Sequence, residues 1–259
     1  MRNLLLYLSY DGTAYHGWQV QENAPTVQQT FQDAWQKICG TRDNVVGCSR
    51  TDAGVHANMF CCNVRTDNPI SCQKLITALN AVLPEDIAVN RCVEVPYEFH
   101  ARYDCVKKEY IYRIWNAPTP SPFLRGRAWH YAYPLDEVAL NRAAQAFVGT
   151  HDFTAFCSSG SSVEEKTRTV VSCSVTRTGE EVDVRIAADG FLYNMVRIIV
   201  GTLIAVAQGK AQADSLPDVI ESKDRNRAGA TAPPQGLYLN RVWYGGDTDE
   251  AKTKVPCEG

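Results

Sequence analysis

Gly47-Cys48-Ser49-Arg50-Thr51-Asp52-Ala53-Gly54-Val55-His56-Ala57 separates two short apolar runs, and its reading decides the fold. Val45-Val46-Gly47-Cys48 enters it as a strand, and residues 59–65 leave it as another. The stretch is therefore a strand-to-strand connection, yet it is longer than the two to five residues a hairpin turn needs. It carries a guanidinium (Arg50), a hydroxyl (Thr51), a carboxylate (Asp52) and an imidazole (His56). A charged connection larger than the topology requires is where function concentrates. Its composition alone also fits a plain turn in which Asp52 bonds its own backbone.

Upstream, residues 4–10 read as a buried strand that empties into Asp11-Gly12-Thr13-Ala14-Tyr15-His16-Gly17-Trp18-Gln19. The rings of that loop either offer stacking surface to a base or pack over the core. Thr26, with Gln29 three residues on, caps a helix whose apolar face is Val27, Phe31, Ala34, Trp35 and Ile38, closed by Gly40. Downstream, residues 72–83 form a second helix stopped by Pro84, and residues 86–95 a strand. The order is βαββαβ.

The second half repeats it. Residues 108–116 are a strand with Tyr110, Tyr112 and Ile114 on one face, and residues 135–147 a helix ended by Gly149. Strands 168–177 and 181–187 are joined by the tight turn Thr178-Gly179-Glu180. A helix over 192–208, a short helical piece over 216–222 and a strand over 237–244 complete the copy. The fold class expected is α+β, two ferredoxin-like βαββαβ units with an antiparallel sheet, an arrangement RNA-recognition domains also use. The units span 1–103 and 104–245, followed by a polar tail, 246–259.

Composition narrows the function classes. The 259 residues are 45% hydrophobic and 21% charged, ordinary for a globular protein with a good core. The apolar runs 4–8 and 198–207 are too short for a signal-peptide core or a bilayer span, so the reading is cytoplasmic with no membrane partner. Ten cysteines contain no Cys-x-x-Cys, and five dispersed histidines add no ligand pairs, so no metal is expected. Neither a P-loop nor a dinucleotide fingerprint is present, and no cofactor is expected. The net charge of −3 argues mildly against nucleic acid, but residues 101–130 hold six basic side chains (Arg102, Lys107, Lys108, Arg113, Arg125, Arg127) against Asp104 and Glu109.

If Asp52 is a nucleophile it must be ionised and held still. Two cations are available to favour the charged form. Arg50 is on the same loop, and Arg197 sits within the apolar run Met195-Val196-Arg197-Ile198-Ile199-Val200-Gly201. Arg197 either snorkels to the surface or holds a buried partner.

The segment Arg50 to Ala57 closely resembles the active-site motif of the tRNA pseudouridine synthase A family. Tyr10-Asp11-Gly12-Thr13 with Gly17-Trp18-Gln19, Phe99-His100-Ala101-Arg102 with Lys108-Glu109-Tyr110-Ile111-Tyr112, His151-Asp152-Phe153-Thr154, Thr167-Arg168-Thr169, Met195-Val196-Arg197 and Gly236-Leu237-Tyr238-Leu239 resemble its other motifs, in the family's order. The resemblance implies Asp52 as catalytic nucleophile and Tyr110 stacked on the target uracil. It implies Arg197 paired with the nucleophile, Leu237 as an apolar contact to the base, and Arg50 holding the flipped-out nucleotide. It further implies uridine-to-pseudouridine isomerisation at positions 38–40 of the tRNA anticodon stem-loop by a homodimer. Two rivals are a non-catalytic RNA-binding module and an Asp-nucleophile hydrolase. The first lacks the aromatic-rich strand signature of recognition domains. The second lacks a neighbouring carboxylate in the loop.

Overall fold

The computed structural model describes residues 1–161 and 163–245; the expected tail lies outside the described residues. The chain runs β1 (Arg2–Tyr10), α1 (Val27–Cys39), β2 (Val45–Gly47), β3 (His56–Thr66), α2 (Cys72–Asn80) and β4 (Ile87–Val95). It continues through β5 (Cys105–Trp115), β6 (Trp129–His130), α3 (Glu137–Ala144), β7 (Gly149–Asp152), β8 (Thr167–Thr178) and β9 (Glu181–Ala188). It closes with α4 (Met195–Ala207), α5 (Leu216–Ser222) and β10 (Leu237–Tyr244).

Local chemistry places most of these boundaries. Thr26 accepts a hydrogen bond from the Gln29 amide at the start of α1, and Gly40, at φ 78°, ends that helix in the left-handed region. Asp136 accepts from the Ala139 amide, so α3 begins at Glu137 rather than at Leu135, and it tightens into a 3-10 turn over Gln145–Phe147. Asn194, at φ 61°, cannot continue a helix, so α4 begins at Met195 rather than at Leu192. Two elements escaped the sequence reading. β6 is a two-residue parallel partner of β5, and β7 is a four-residue edge strand on β8.

The ten strands of the described residues form one mixed sheet of an α+β fold, in the order β4-β1-β3-β10-β5-β9-β8-β7, with β2 on β3 and β6 on β5. Its pairings are antiparallel except β3–β10 and β5–β6. The N-terminal strands lie in the order β4-β1-β3-β2, and the C-terminal ones in the order β10-β5-β9-β8. The halves meet where Tyr238 and Leu239 pair with His56 and Ala57. β2 pairs farther along β3, at Cys62 to Val64. The segment 48–55 thus leaves the sheet beside the seam between the halves, and the first residues of β10 land next to it.

The seam is continuous with the core. Leu4, Leu5, Leu6 and Leu8 of β1, Phe60 of β3, Tyr112 of β5 and Ile198 to Val200 of α4 are fully buried or nearly so. No helix of the described residues is long and apolar enough to cross a membrane.

Candidate active site

The loop 48–55 is braced from below by the segment after β1. The Trp18 amide donates to the Thr51 carbonyl (3.1 Å), the Gly54 amide to the Tyr15 carbonyl (3.1 Å), and the hydroxyls of Tyr10 and Thr51 lie 2.8 Å apart. The backbones approach so closely that a Cβ on Gly12 would sit 2.0 Å from the Val55 carbonyl oxygen, and one on Gly17 2.3 Å from that of Thr51. Tyr15 and Trp18 are buried, and the Trp18 ring stacks on Phe60 at 3.9 Å. Tyr15 and Trp18 thus pack over the core, whereas His16, the third ring of that loop, is exposed.

His56 does not line the cavity. It is 1% exposed, its Nδ1 accepts from the Gly12 amide (3.0 Å), and its ring stacks on Tyr238 at 4.5 Å. Burial pushes its pKa down, against the pull of the Asp11 carboxylate 3.1 Å from Nδ1, and its Nε2 lies 3.2 Å from the Gln235 carbonyl oxygen. It clamps the loop's exit to the approach of β10.

Asp52 faces a cavity of about 380 Å³. Its Oδ2 lies 3.3 Å from Nη1 of Arg197, with side-chain exposures of 30% and 15%. Arg197 therefore turns inward to a half-buried partner instead of snorkelling. Its guanidinium is held on two further sides: Nη1 donates to Asn194 Oδ1 (2.7 Å) and Nε to the Ala232 carbonyl (2.7 Å). Burial raises the Asp52 pKa above the ordinary carboxylate value, and the Arg197 charge and hydrogen bond pull it back only in part. The carboxylate is thus poorly hydrated but charge-paired.

Tyr110 and Leu237 form the apolar side of the same cavity, with Arg50, exposed, at its edge. The Tyr110 ring meets Phe191 edge-on at 4.9 Å, and its hydroxyl lies 3.2 Å from Ser49 Oγ. Burial raises the Tyr110 pKa, keeping the phenol neutral. Cys48 also lines the cavity, but burial pushes its thiol up to about 12, so it is no rival nucleophile at neutral pH. All five residues singled out from the sequence are therefore brought together: Asp52, Arg50, Tyr110 and Leu237 on the lining, Arg197 behind Asp52.

Sequence reasoning missed Asn194 and Phe191. Asn194 carried a signal, an Asn just ahead of an apolar helical run, which is a start signal. The basic segment disperses. Arg102 and Lys108 line the cavity, whereas Lys107 and Arg113 lie over the rings of Trp243 (4.1 Å) and Tyr238 (4.6 Å), and Arg127 pairs with Asp11 (2.9 Å). Among the described residues no group of three His, Cys, Asp or Glu side chains is placed to hold a metal ion.

A half-buried, arginine-paired carboxylate thus faces a cavity at the strand seam whose apolar side is Tyr110 and Leu237. The tRNA pseudouridine synthase model matches residues 7–104 and 143–245, which takes in Asp52, Arg197, Arg50 and Leu237 but not Tyr110 or Lys108, and the chain belongs to that family. It is 48% identical over 244 residues to the tRNA pseudouridine synthase A of Thermoanaerobacter sp. (strain X514), covering 94% of this chain and all of that one. The Acetivibrio thermocellus protein of the same name is 50% identical over 244 residues, at the same coverage. A solved structure, "Crystal Structure of a Cbf5-Nop10-Gar1 Complex", overlaps 93% of this chain and 58% of that one at 13% identity and a TM-score of 0.37, a likeness too slight to carry weight.

Proposed function

We propose that this protein isomerises uridine to pseudouridine in the anticodon stem-loop of tRNA, at positions 38–40, with Asp52 as the nucleophile. The Asp52–Arg197 pair inside the cavity carries the reading. In the reaction the N1–C1′ bond breaks, the base turns, and C5 bonds C1′. The C5 proton leaves and N1 takes one up, so no oxidant, water or phosphate donor is consumed. The target leaves its stack at a cost of a few kcal/mol. Stacking against Tyr110, apolar contact with Leu237 and a grip on the backbone by Arg50 offset that cost. Arg197 favours the charged form of Asp52 and offsets part of the effect of its burial.

The repeated order β4-β1-β3-β2 and β10-β5-β9-β8 supports two ferredoxin-like units, 1–103 and 104–245, with the catalytic loop in the first. We further propose a cytoplasmic homodimer in which one tRNA contacts both subunits, since a chain of net charge −3 with a dispersed basic segment gathers more positive surface as a pair. The test is a tRNA pool labelled with tritium at uracil C5, with the modified positions mapped after carbodiimide derivatisation. Tritium released to water, with modification confined to 38–40, supports the proposal. RNA binding without release makes the protein a binding module.

A further inference from the structure

A second recess of about 230 Å³ adjoins the active site. It is lined by Trp18, Gly47, His100 and Tyr103, and shares Ser49, Arg50 and Arg102 with the larger cavity. At its rim Tyr103 is 76% exposed. A large aromatic ring left in water is informative when the backbone holds it still, and here the backbone does so.

The turn 100–104 is fixed from within and from below. Its His100 Nδ1 accepts from the amides of Arg102 (3.2 Å) and Tyr103 (3.3 Å), and the Asp104 carboxylate accepts from the His100 amide (2.8 Å). Between them Ala101 is fully buried, its amide donating to Asn63 Oδ1 (2.8 Å) and its carbonyl accepting from the Tyr244 hydroxyl (2.9 Å). The His100 imidazole stacks on the Tyr103 ring at 4.3 Å, and the Arg102 guanidinium carbon lies 5.8 Å from that ring's centre. The result is a pre-formed two-ring platform flanked by the exposed cations Arg50 and Arg102, which also line the cavity that Asp52 faces.

A platform of this kind matches one nucleotide of a single strand, the base stacking on the ring and the phosphate meeting the guanidinium. We propose that Tyr103, backed by His100, stacks the nucleotide next to the target uridine, and that Arg102 with Arg50 holds the phosphate between the two. The inference rests on the reaction proposed above, because it takes the larger cavity as the place of the target. It makes the enzyme read two nucleotides of its loop. The neighbour is recognised by its π-face, and so without regard to its identity.

The test uses two anticodon stem-loop RNAs carrying 2-aminopurine 5′ or 3′ of the target uridine, mixed with the full chain. One of the two loses fluorescence on binding to the wild type and to Tyr103→Phe, and keeps it with Tyr103→Ala. The alanine variant binds about 5- to 100-fold more weakly, whereas the phenylalanine variant stays within about twofold of wild type, since the ring does the stacking. Arg102→Gln lowers the slope of log Kd against log salt by about 0.7, one phosphate contact on a single strand. A quench that persists in Tyr103→Ala, or wild-type binding with no quench at either neighbour, overturns the site. Tritium release in the companion assay separates the two readings. Release with an unchanged Tyr103→Ala removes this platform and leaves the reaction. A Tyr103-dependent quench without release removes the reaction and leaves the platform.

Discussion

Arg197 reaches Asp52 across 145 positions of sequence, its Nη1 3.3 Å from Oδ2, and it arrives there already held by Asn194 and the Ala232 carbonyl. Two elements from opposite halves of the chain thus meet in one charge pair at the seam of the sheet. The pair exists only when the halves are docked, because Asp52 precedes β3 and Arg197 lies in α4.

The acid limb of kcat/KM follows from that contact. Ionisation of Asp52 is opposed by burial and favoured by Arg197, with burial the larger. The limb accordingly lies above the ordinary carboxylate value of about 3.9. In Arg197→Gln the favourable charge is gone, and the limb moves further up. A pH profile of kcat/KM for both proteins checks this, and a downward or absent shift counts against it.

Asn194 is a positioning residue for the same pair. Asn194→Gly accepts the left-handed backbone without strain and removes the side chain that anchors Arg197, together with its 3.0 Å hydrogen bond to Ser158 Oγ. We expect kcat/KM to fall about ten- to hundredfold, the scale of a hydrogen bond to a charged group, with the acid limb displaced upward. A fall without displacement would make Asn194 merely structural.

Stability and activity trade against each other at Asp52. Its folded-state pKa is raised, so between the unfolded value and the folded one the native chain holds a proton that the unfolded chain has released. Stability is therefore lost as pH rises through that window. Asp52→Asn, uncharged throughout, is expected to melt higher than wild type at pH 7. The gap should close as pH falls below about 3.9. Thermal melts at both pH values decide the matter.

The glycine braces are equally specific. Gly17→Ala sets a Cβ 2.3 Å from the Thr51 carbonyl oxygen on a backbone at φ 84°. A loss of about 2–4 kcal/mol is expected from strain and clash together, read by urea denaturation. Gly40→Ala, at a similar φ but with open space around it, should cost less.

These sites also show what the sequence made legible. Cap residues and alternation are local, so Thr26 and the turn of β8–β9 at Gly179 (φ 60°) stand where their chemistry put them. The motif residues were legible by family resemblance, and all five gather at one cavity or behind it. What was not legible depended on partners distant in sequence. β3 starts at His56, three residues earlier than its apolar run, because β10 pairs there. β6 and β7 exist only as partners of β5 and β8. Asn194 is a different case: its partner Arg197 is only three residues on, and it read as helix interior because Leu192, Tyr193 and Met195 extend the apolar run across it.

The central claim is that Asp52 is the nucleophile, and the most direct measurement compares tritium release from C5-labelled tRNA by wild type and Asp52→Asn. Release by the wild type, none by the variant above background, and tRNA binding by both are expected. Equal release by the two proteins would contradict it and return Asp52 to the role of a turn residue.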